Sequence, residues 1–555
     1  MSLLDLVISA VGTETLFRFR GHCASPFKTQ ERLMRQILKA NKGSEYGRRH
    51  GFSSIHSMAD FQKNIPIATY NDLSPYIDAA LEGKPAQLTE ETPILFATTS
   101  GTTGKSKFIP VTPESKKLKS RLTRTWVSGI HRDHPDIFSG KILSVVSPEV
   151  ESYAPCGTPC GAESGQGYRD IPKALKKHYS QPYDVFTIKD YDAKYYTLLR
   201  IAAGQPISFV LSCNPSTVLL IAQRLGDNTE AIIRDVRDGT LSHEINIPGE
   251  VRAVVEAQLQ PDVNRARFLE QAASQGDGIL LPRNVWPELK LIGCWKGGSV
   301  GIYLDRFDQY YPEGLPVRDM GWLASEVRGS IPLSDHGDDG PMGIDTNVYE
   351  FFPVDGDASP TGADLLTIDQ LEAGRKYFVY VTTSAGLYRY DMNDILEVTG
   401  FYQETPVIRF VQKGKGVVSF TGEKLYEEQV IEAVDQALNP NGRYEFITAL
   451  GEMHGDTPRY VFLVEFEKEI SREKGRELLS GIEQGVCRQN MEYESKRSSH
   501  RIGSPALRVI APGQFDDYRR REVSKGRMDG QFKTLRLTKD AAFADEFKAS
   551  FEVSL

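Results

Sequence analysis

Apolar positions along this chain recur at two spacings, and the spacing marks where the elements change. Leu33, Ile37 and Leu38, within 27–43, share one helical face and predict a helix with Gly43 at the place of a C-terminal cap. The run PILFATTS, residues 93–100, is continuous instead, and predicts a short buried strand opening into a Ser/Gly/Thr loop. Thr112-Pro113-Glu114 reads as an N-cap with proline at the first helical position, starting a long helix toward Gly129. KILSVVS, PISFVLS and ELKLIGCW then read as strands, AKYYTLLRIAAG, 216–225 and 229–236 as helices, and the runs around EFFPV and YFVYVTT as later strands. Strands separated by helices imply α/β layers with a largely parallel sheet, whose ligands sit beyond the carboxyl ends of the strands.

The style changes near 413. KGKGVVSF is punctuated by glycine, a helix follows over 427–438, and FITALGEM and RYVFLVEF read as two strands ahead of a helix over 471–487. The expected organisation is therefore α/β: a large N-terminal domain over 1–412, a flexible hinge at 413–416 and a smaller α+β domain over 417–555, which the resemblance given below implies is a mobile lid.

Composition narrows the function. The 555 residues include 66 basic and 74 acidic side chains, a net charge of −8, the wrong sign for a protein that lives on nucleic acid or anionic lipid. Small molecules are the expected partners, and the sequence does not give the oligomeric state. Six scattered cysteines suit a reducing compartment. The first residues lack a basic stretch and include Asp5, and no apolar run is long enough to cross a bilayer, so a cytoplasmic location is expected.

The strongest chemical signal is Thr98-Thr99-Ser100-Gly101-Thr102-Thr103-Gly104-Lys105-Ser106-Lys107. Glycines let backbone N–H groups approach phosphate oxygens, hydroxyls add donors and lysine adds charge. Gly104-Lys105-Ser106 ends as a Walker A loop ends, but that motif needs glycine where Thr99 stands. The stretch from Thr99 to Lys107 instead resembles the phosphate-binding motif of adenylate-forming enzymes, Thr-Ser-Gly-(Ser/Thr)-Thr-Gly-x-x-Lys. By that resemblance Thr99, Ser100, Gly101, Thr102, Thr103, Gly104 and Lys107 bind nucleotide.

Three further segments occur in that superfamily's order. MGWLASE, 320–326, is similar to the aromatic-x-x-(Ser/Thr)-Glu segment, which implies that Trp322 and Ser325 flank the nucleotide and that Glu326 holds magnesium. Magnesium prefers oxygen ligands and bridges carboxylates to phosphates. LYRYDMND, 387–394, resembles the Tyr-Arg-x-Gly-Asp region, with Asp394 in the place of the ribose-binding aspartate, Asn393 where glycine is usual and Asp391 as the nearest competitor. A carboxylate offers two acceptor oxygens to a vicinal diol. QFKTLR, 531–536, resembles the segment carrying the C-terminal catalytic lysine, here Lys533.

The layout from about 25 to 540 resembles the Gretchen Hagen three family of acyl acid amido synthetases, through ILKANKGSEYGRRHGF, IPIATYNDLSPYI, TTSGTTGKSKFIPVT, GLP at 314–316, GLYRYDMNDILEVTGF and IRFVQKG. This implies ATP and Mg2+ as cofactors, activation of a carboxylic acid as acyl-AMP, and transfer to an amine or amino acid. It also places Gly297, Gly298 and Ser299 in the acyl and adenine wall. An acyl-CoA ligase is the alternative for the second half-reaction, and a noncatalytic nucleotide-binding protein is the alternative from another class.

Other signals carry less. Cys156 and Cys160 have Glu163 where an iron–sulfur motif needs its third cysteine. His131-Arg132-Asp133 imitates a kinase loop but has Phe138 where asparagine belongs. The basic residues over 116–124 read as the wet face of a helix, with Arg121 or Arg124 as candidates to reach a substrate carboxylate.

Overall fold

Four short strands, Lys141–Ser144, Ile207–Leu211, Leu291–Gly293 and Val317–Arg318, lie side by side in that order and all run parallel. A parallel sheet is covered on both faces, so its strands read as unbroken apolar runs, and Ile207 through Val210 are all buried. Asp190 caps the preceding helix Tyr191–Ala203 by accepting the Ala193 N–H at 2.7 Å. The computed structural model describes residues 3–99, 107–354, 364–414, 417–418, 425–438, 444–455, 457–498, 502–525, 532, 534–538 and 540–555.

The expectation of a largely parallel sheet needs correction over 340–413. Val348–Pro353, Lys376–Thr382, Tyr390–Tyr402, Thr405–Lys413 and Gly340–Pro341 form a second sheet in that order, antiparallel in the pairings among Val348–Pro353, Lys376–Thr382 and Tyr390–Tyr402. The connections between Lys376–Thr382, Tyr390–Tyr402 and Thr405–Lys413 are too short for the crossover that parallel strands require.

A third sheet corrects the surroundings of the Ser/Gly/Thr loop. Leu95–Thr99 pairs antiparallel with Lys107–Val111, in register from Leu95 opposite Val111 to Thr99 opposite Lys107. The two strands therefore form a hairpin, and the long helix starts only after the second of them. That helix, Pro113–Asp133, is capped by Thr112, whose hydroxyl accepts the Ser115 N–H, and it continues past Gly129. The sequence pattern missed the helix Leu3–Cys23, which packs on Pro113–Asp133; a Cβ on Gly12 would lie 3.2 Å from Ser128 Oγ. The helix Pro26–Ala40 ends at Asn41, whose amide donates to the Ile37 carbonyl, so the cap is Asn41 and not Gly43.

The chain divides into two compact units, Met1–Phe410 and Val411–Leu555, just ahead of the expected junction. The second unit has its own five-stranded sheet, ordered Leu537–Thr538, Tyr444–His454, Thr457–Phe466, Ala506–Ile510, Ala549–Ser554. On one face lie the helices Glu427–Leu438 and Arg472–Gln489, which approach so closely that a Cβ on Gly485 would meet Ala433 Cβ at 2.8 Å. On the other face Phe446, Leu463, Ile510, Tyr518, Phe532 and Phe547 form an aromatic core. Among the described residues no helix is long and apolar enough to cross a membrane.

Candidate active site

The carboxyl ends of the parallel strands are tied together by one carboxylate. Asp319, just beyond Val317–Arg318, accepts the Lys296 N–H at Oδ2 and the Gly321 N–H at Oδ1, both at 2.5 Å. Burial pushes its pKa up to about 7, against the pull of those two donors. Its backbone carbonyl accepts the Trp126 indole N–H from the long helix at 2.9 Å.

From there the chain folds back on itself over 322–330. Leu323 bridges Arg328 antiparallel, Gly329 N–H donates to the Trp322 carbonyl at 2.7 Å, and Ala324 and Val327 exchange backbone hydrogen bonds. Ser325 and Glu326 thus occupy the tip of a tight turn. The Trp322 ring lies over Gly329, where an added Cβ would sit 1.9 Å from Cε3. Gly329→Ala is therefore expected to cost about 1–3 kcal/mol or more by overpacking against the indole. Urea unfolding measures the loss, and wild-type stability would contradict this reading of the turn.

The turn tip is held from the long helix. Lys119 Nζ donates to the Ser325 carbonyl at 2.6 Å and to both oxygens of Glu163 at 2.8 Å. Glu326 itself is half-buried and has no hydrogen bond or ion pair among the described residues. No group of three acid, histidine or cysteine side chains converges anywhere among the described residues. A single uncommitted carboxylate fits an ion whose remaining ligands come from phosphate and water, which is how magnesium is held beside nucleotides.

Asp394 lies on Tyr390–Tyr402, 2% exposed, and its Oδ2 accepts the Trp322 indole N–H at 2.8 Å. The two residues expected at the nucleotide from separate motifs are therefore hydrogen-bonded to each other. Asn393 sits at φ 52°, the left-handed region that glycine takes at this place in the motif and that asparagine tolerates. Asp391, the competitor, accepts the Asn393 N–H at 2.7 Å and so stabilises that turn. Arg389, at φ 46° and fully buried, forms a two-pronged ion pair with Glu350 at 2.7 and 2.8 Å and donates to the carbonyls of Gln62 and Ile65.

Tyr390 joins the pieces. Burial, followed by the charges of Glu326 and Asp391, the neighbouring Tyr70 and the charge of Asp394, raises its hydroxyl far above its usual range, so these groups lie within electrostatic reach of one phenol. Tyr70 in turn accepts the Phe108 N–H at 3.0 Å and has Lys107 Nζ 5.3 Å from its ring centre. Lys107 thus lies against Tyr70 and Trp322 against Asp394, with Glu326 and Asp394 within electrostatic reach of Tyr390. Tyr70, Tyr390 and Lys119 were missed in the sequence because a lone aromatic or a lysine on a helix face carries no spacing signal.

The remaining expected residues are placed less fully. Thr99 ends its strand, while Ser100, Gly101, Thr102, Thr103, Gly104 and Lys533 lie outside the described residues. Gly297 follows Leu291–Gly293, and a Cβ there would meet Asp338 Oδ2 at 2.2 Å. Gly298 and Ser299 begin the 3-10 helix Gly298–Gln309. Beside Lys533, Phe532 packs edge-on against Phe515 and Tyr518, and the Arg536 guanidinium donates to the Ile447 carbonyl at 3.1 Å. Arg121 is paired with Asp345 at 3.2 Å, and Arg124 is exposed.

Comparison with known proteins shows the family and the fold. The indole-3-acetic acid-amido synthetase GH3.17 of Arabidopsis thaliana is 27% identical over 92% of this chain and 90% of its own length. The jasmonoyl–L-amino acid synthetase JAR6 of Nicotiana attenuata is 26% identical over 92% and 90%. The solved GH3.15 acyl acid amido synthetase superposes with a TM-score of 0.86 at 22% identity, covering 97% of each chain, and so shares the fold. The family models for the GH3 N-terminal, central and C-terminal domains match residues 15–317, 341–413 and 428–542, and the chain therefore belongs to the GH3 family.

Proposed function

We propose that this chain is an ATP-dependent acyl acid amido synthetase. The observation that carries the proposal is the hydrogen bond between Trp322 and Asp394, two residues from separate motifs, with Lys107 against the Tyr70 ring, joined to membership of a family whose named relatives are indole-3-acetic acid-amido and jasmonoyl–L-amino acid synthetases. In the first half-reaction a carboxylate oxygen of the acid attacks the α-phosphorus of ATP and pyrophosphate leaves. In the second, an amine nitrogen attacks the acyl carbonyl, the amide forms and AMP leaves.

Each step draws on named groups. Backbone N–H groups and hydroxyls of the 99–107 loop, with Lys107, cradle the phosphates, and Lys533 of the second unit neutralises charge growing on the α-phosphate. Movement about 413–416 brings Lys533 in for adenylation and withdraws it for transfer. Glu326 would hold magnesium, whose charge would favour the departure of pyrophosphate, and Lys119 fixes the turn from which Glu326 projects. Asp394 accepts from the ribose hydroxyls, oriented by the Trp322 indole. Gly297, Gly298 and Ser299 leave room for the adenine and acyl wall. The reactants are a small carboxylic acid and an amine or amino acid, and the location is cytoplasmic.

A ribose contact changes little during phosphoryl transfer, so Asp394→Ala should raise the KM for ATP by about tenfold or more with a smaller change in kcat. A pure kcat defect with normal ATP binding would assign Asp394 another role. The function itself is tested by offering a panel of acids with ATP and scoring pyrophosphate release, then adding amino acids or coenzyme A and identifying products by mass spectrometry. Amides are expected. Thioester as the only product would establish an acyl-CoA ligase, and absence of pyrophosphate release across the panel would favour a noncatalytic nucleotide binder.

A further inference from the structure

Tyr70 opens the helix Tyr70–Leu81, and the residues before it fix where its ring goes. Thr69 and Asp72 hold the first turn, the Thr69 N–H and hydroxyl both donating to Asp72 Oδ2, at 2.8 and 2.6 Å. One residue earlier, the Ala68 N–H donates to the Arg389 carbonyl at 3.1 Å, and the Ala68 carbonyl accepts the Asp391 N–H at 2.8 Å. Tyr70 is therefore anchored to the segment that leads to Asp394.

From that anchor Tyr70 makes two contacts with the strand Lys107–Val111. Its Oη accepts the Phe108 N–H at 3.0 Å, and its ring centre lies 5.3 Å from Lys107 Nζ, within the range over which an aromatic face attracts a cation. The strand is at the edge of its sheet. An edge strand turns alternate N–H groups away from its neighbour, and Tyr70 supplies the acceptor for that of Phe108. Lys107 is half-buried and has no ion pair among the described residues. The lysines of the next helix, Pro113–Asp133, are held by acids instead, Lys116 by Asp170, Lys117 by Glu114 and Lys119 by Glu163. A carboxylate beside a phosphate-binding lysine would compete with the phosphate and cancel much of the lysine's field. An aromatic face steadies the ammonium and leaves its charge and N–H donors for an anion.

We propose that Tyr70 is a positioning residue for the triphosphate of ATP, holding Lys107 with its ring and the following peptide with its hydroxyl. The inference rests on the reading of Lys107 as a phosphate ligand and deepens it. Tyr70 acts through the lysine, not on the phosphate. Because the backbone at Ala68 is bonded to Arg389 and Asp391, the same residue also sets Lys107 relative to Asp394. The phosphate and ribose ends of the nucleotide thereby share one frame.

The test is equilibrium dialysis of the full-length chain against Mg–ATP. Wild type is compared with Tyr70→Phe, Tyr70→Met, Lys107→Met and the double variant Tyr70→Met/Lys107→Met, with urea unfolding as a control on each fold. Tyr70→Met removes ring and hydroxyl and should weaken ATP binding about tenfold, whereas Tyr70→Phe keeps the ring and should lose less than about threefold. Lys107→Met should lose about tenfold or more. The double variant should fall within about twofold of Lys107→Met, because Tyr70 acts through the lysine, whereas a general packing defect would add to the loss. A loss below about threefold in Tyr70→Met, a loss above about threefold in Tyr70→Phe, or additive losses in the double variant would each overturn the inference. The Tyr70→Phe arm still decides if Tyr70→Met does not fold. Absence of ATP binding by wild type, or undiminished binding in Lys107→Met, would strike the phosphate reading of Lys107 and this inference with it. Loss in Lys107→Met without loss in Tyr70→Met would strike this inference alone.

Discussion

Lys533→Ala is expected to slow adenylate formation about 10²-fold or more while changing the KM for ATP only modestly. Negative charge accumulates on the nonbridging oxygens of the α-phosphate as the acid attacks and pyrophosphate departs. A cation that meets this charge only in the transition state affects rate more than binding. The flanking residues suit such a role. Phe532 is held by Phe515 and Tyr518, the Arg536 carbonyl accepts the Ala449 N–H at 2.8 Å, and Leu537–Thr538 pairs with Tyr444–His454. The described residues near Lys533 are thus packed and hydrogen-bonded without it, and its loss should leave the fold of the second unit intact. Acid-dependent exchange of pyrophosphate into ATP measures the step, and unchanged exchange would refute the role. Amide formation from a preformed acyl adenylate should be much less affected.

Arg389→Met should destabilise the first unit by about 3–5 kcal/mol, because it leaves Glu350 charged, buried and unpaired. Glu350 is 1% exposed and receives both prongs of the guanidinium, with Gln62 Nε2 as a further donor at 3.1 Å. The same guanidinium holds the carbonyls of Gln62 and Ile65, just ahead of the segment that pairs through Ala68 with Arg389 and Asp391. Loss of Arg389 therefore loosens the loop that carries Tyr70 as well as the turn that leads to Asp394. Urea unfolding of Arg389→Met and of the double variant Arg389→Met/Glu350→Met checks the argument, the double variant being expected to recover part of the loss. A single variant within about 1 kcal/mol of wild type would show that the pair contributes little.

Much of the architecture was legible because it is written in local pattern. The parallel strands Ile207–Leu211 and Leu291–Gly293 are continuous apolar runs, and Thr112-Pro113 announced its helix. The hairpin Leu95–Thr99 with Lys107–Val111 was not legible, since a five-residue strand directly before a helix cap leaves too short a run for period to declare itself. The helix Leu3–Cys23 escaped because its apolar residues do not gather on one face. In the candidate site, motif order singled out Trp322, Glu326 and Asp394 and marked Asn393 as standing where glycine is usual. The hydrogen bond from Trp322 to Asp394 could not be read, because it joins residues 72 apart in sequence through tertiary packing. The same holds for Lys119 and Ser325, which lie 206 apart.

The central claim is that a single nucleotide is held by the 99–107 loop, Glu326 and Asp394 while Lys533 approaches its α-phosphate. A crystal structure of the full chain with a nonhydrolysable acyl-adenylate mimic tests this most directly. The account predicts the ribose hydroxyls on Asp394, with the Trp322 indole still donating to that carboxylate, and the phosphate mimic against the 99–107 loop. Ligand bound elsewhere, or a ribose turned away from Asp394, would contradict it.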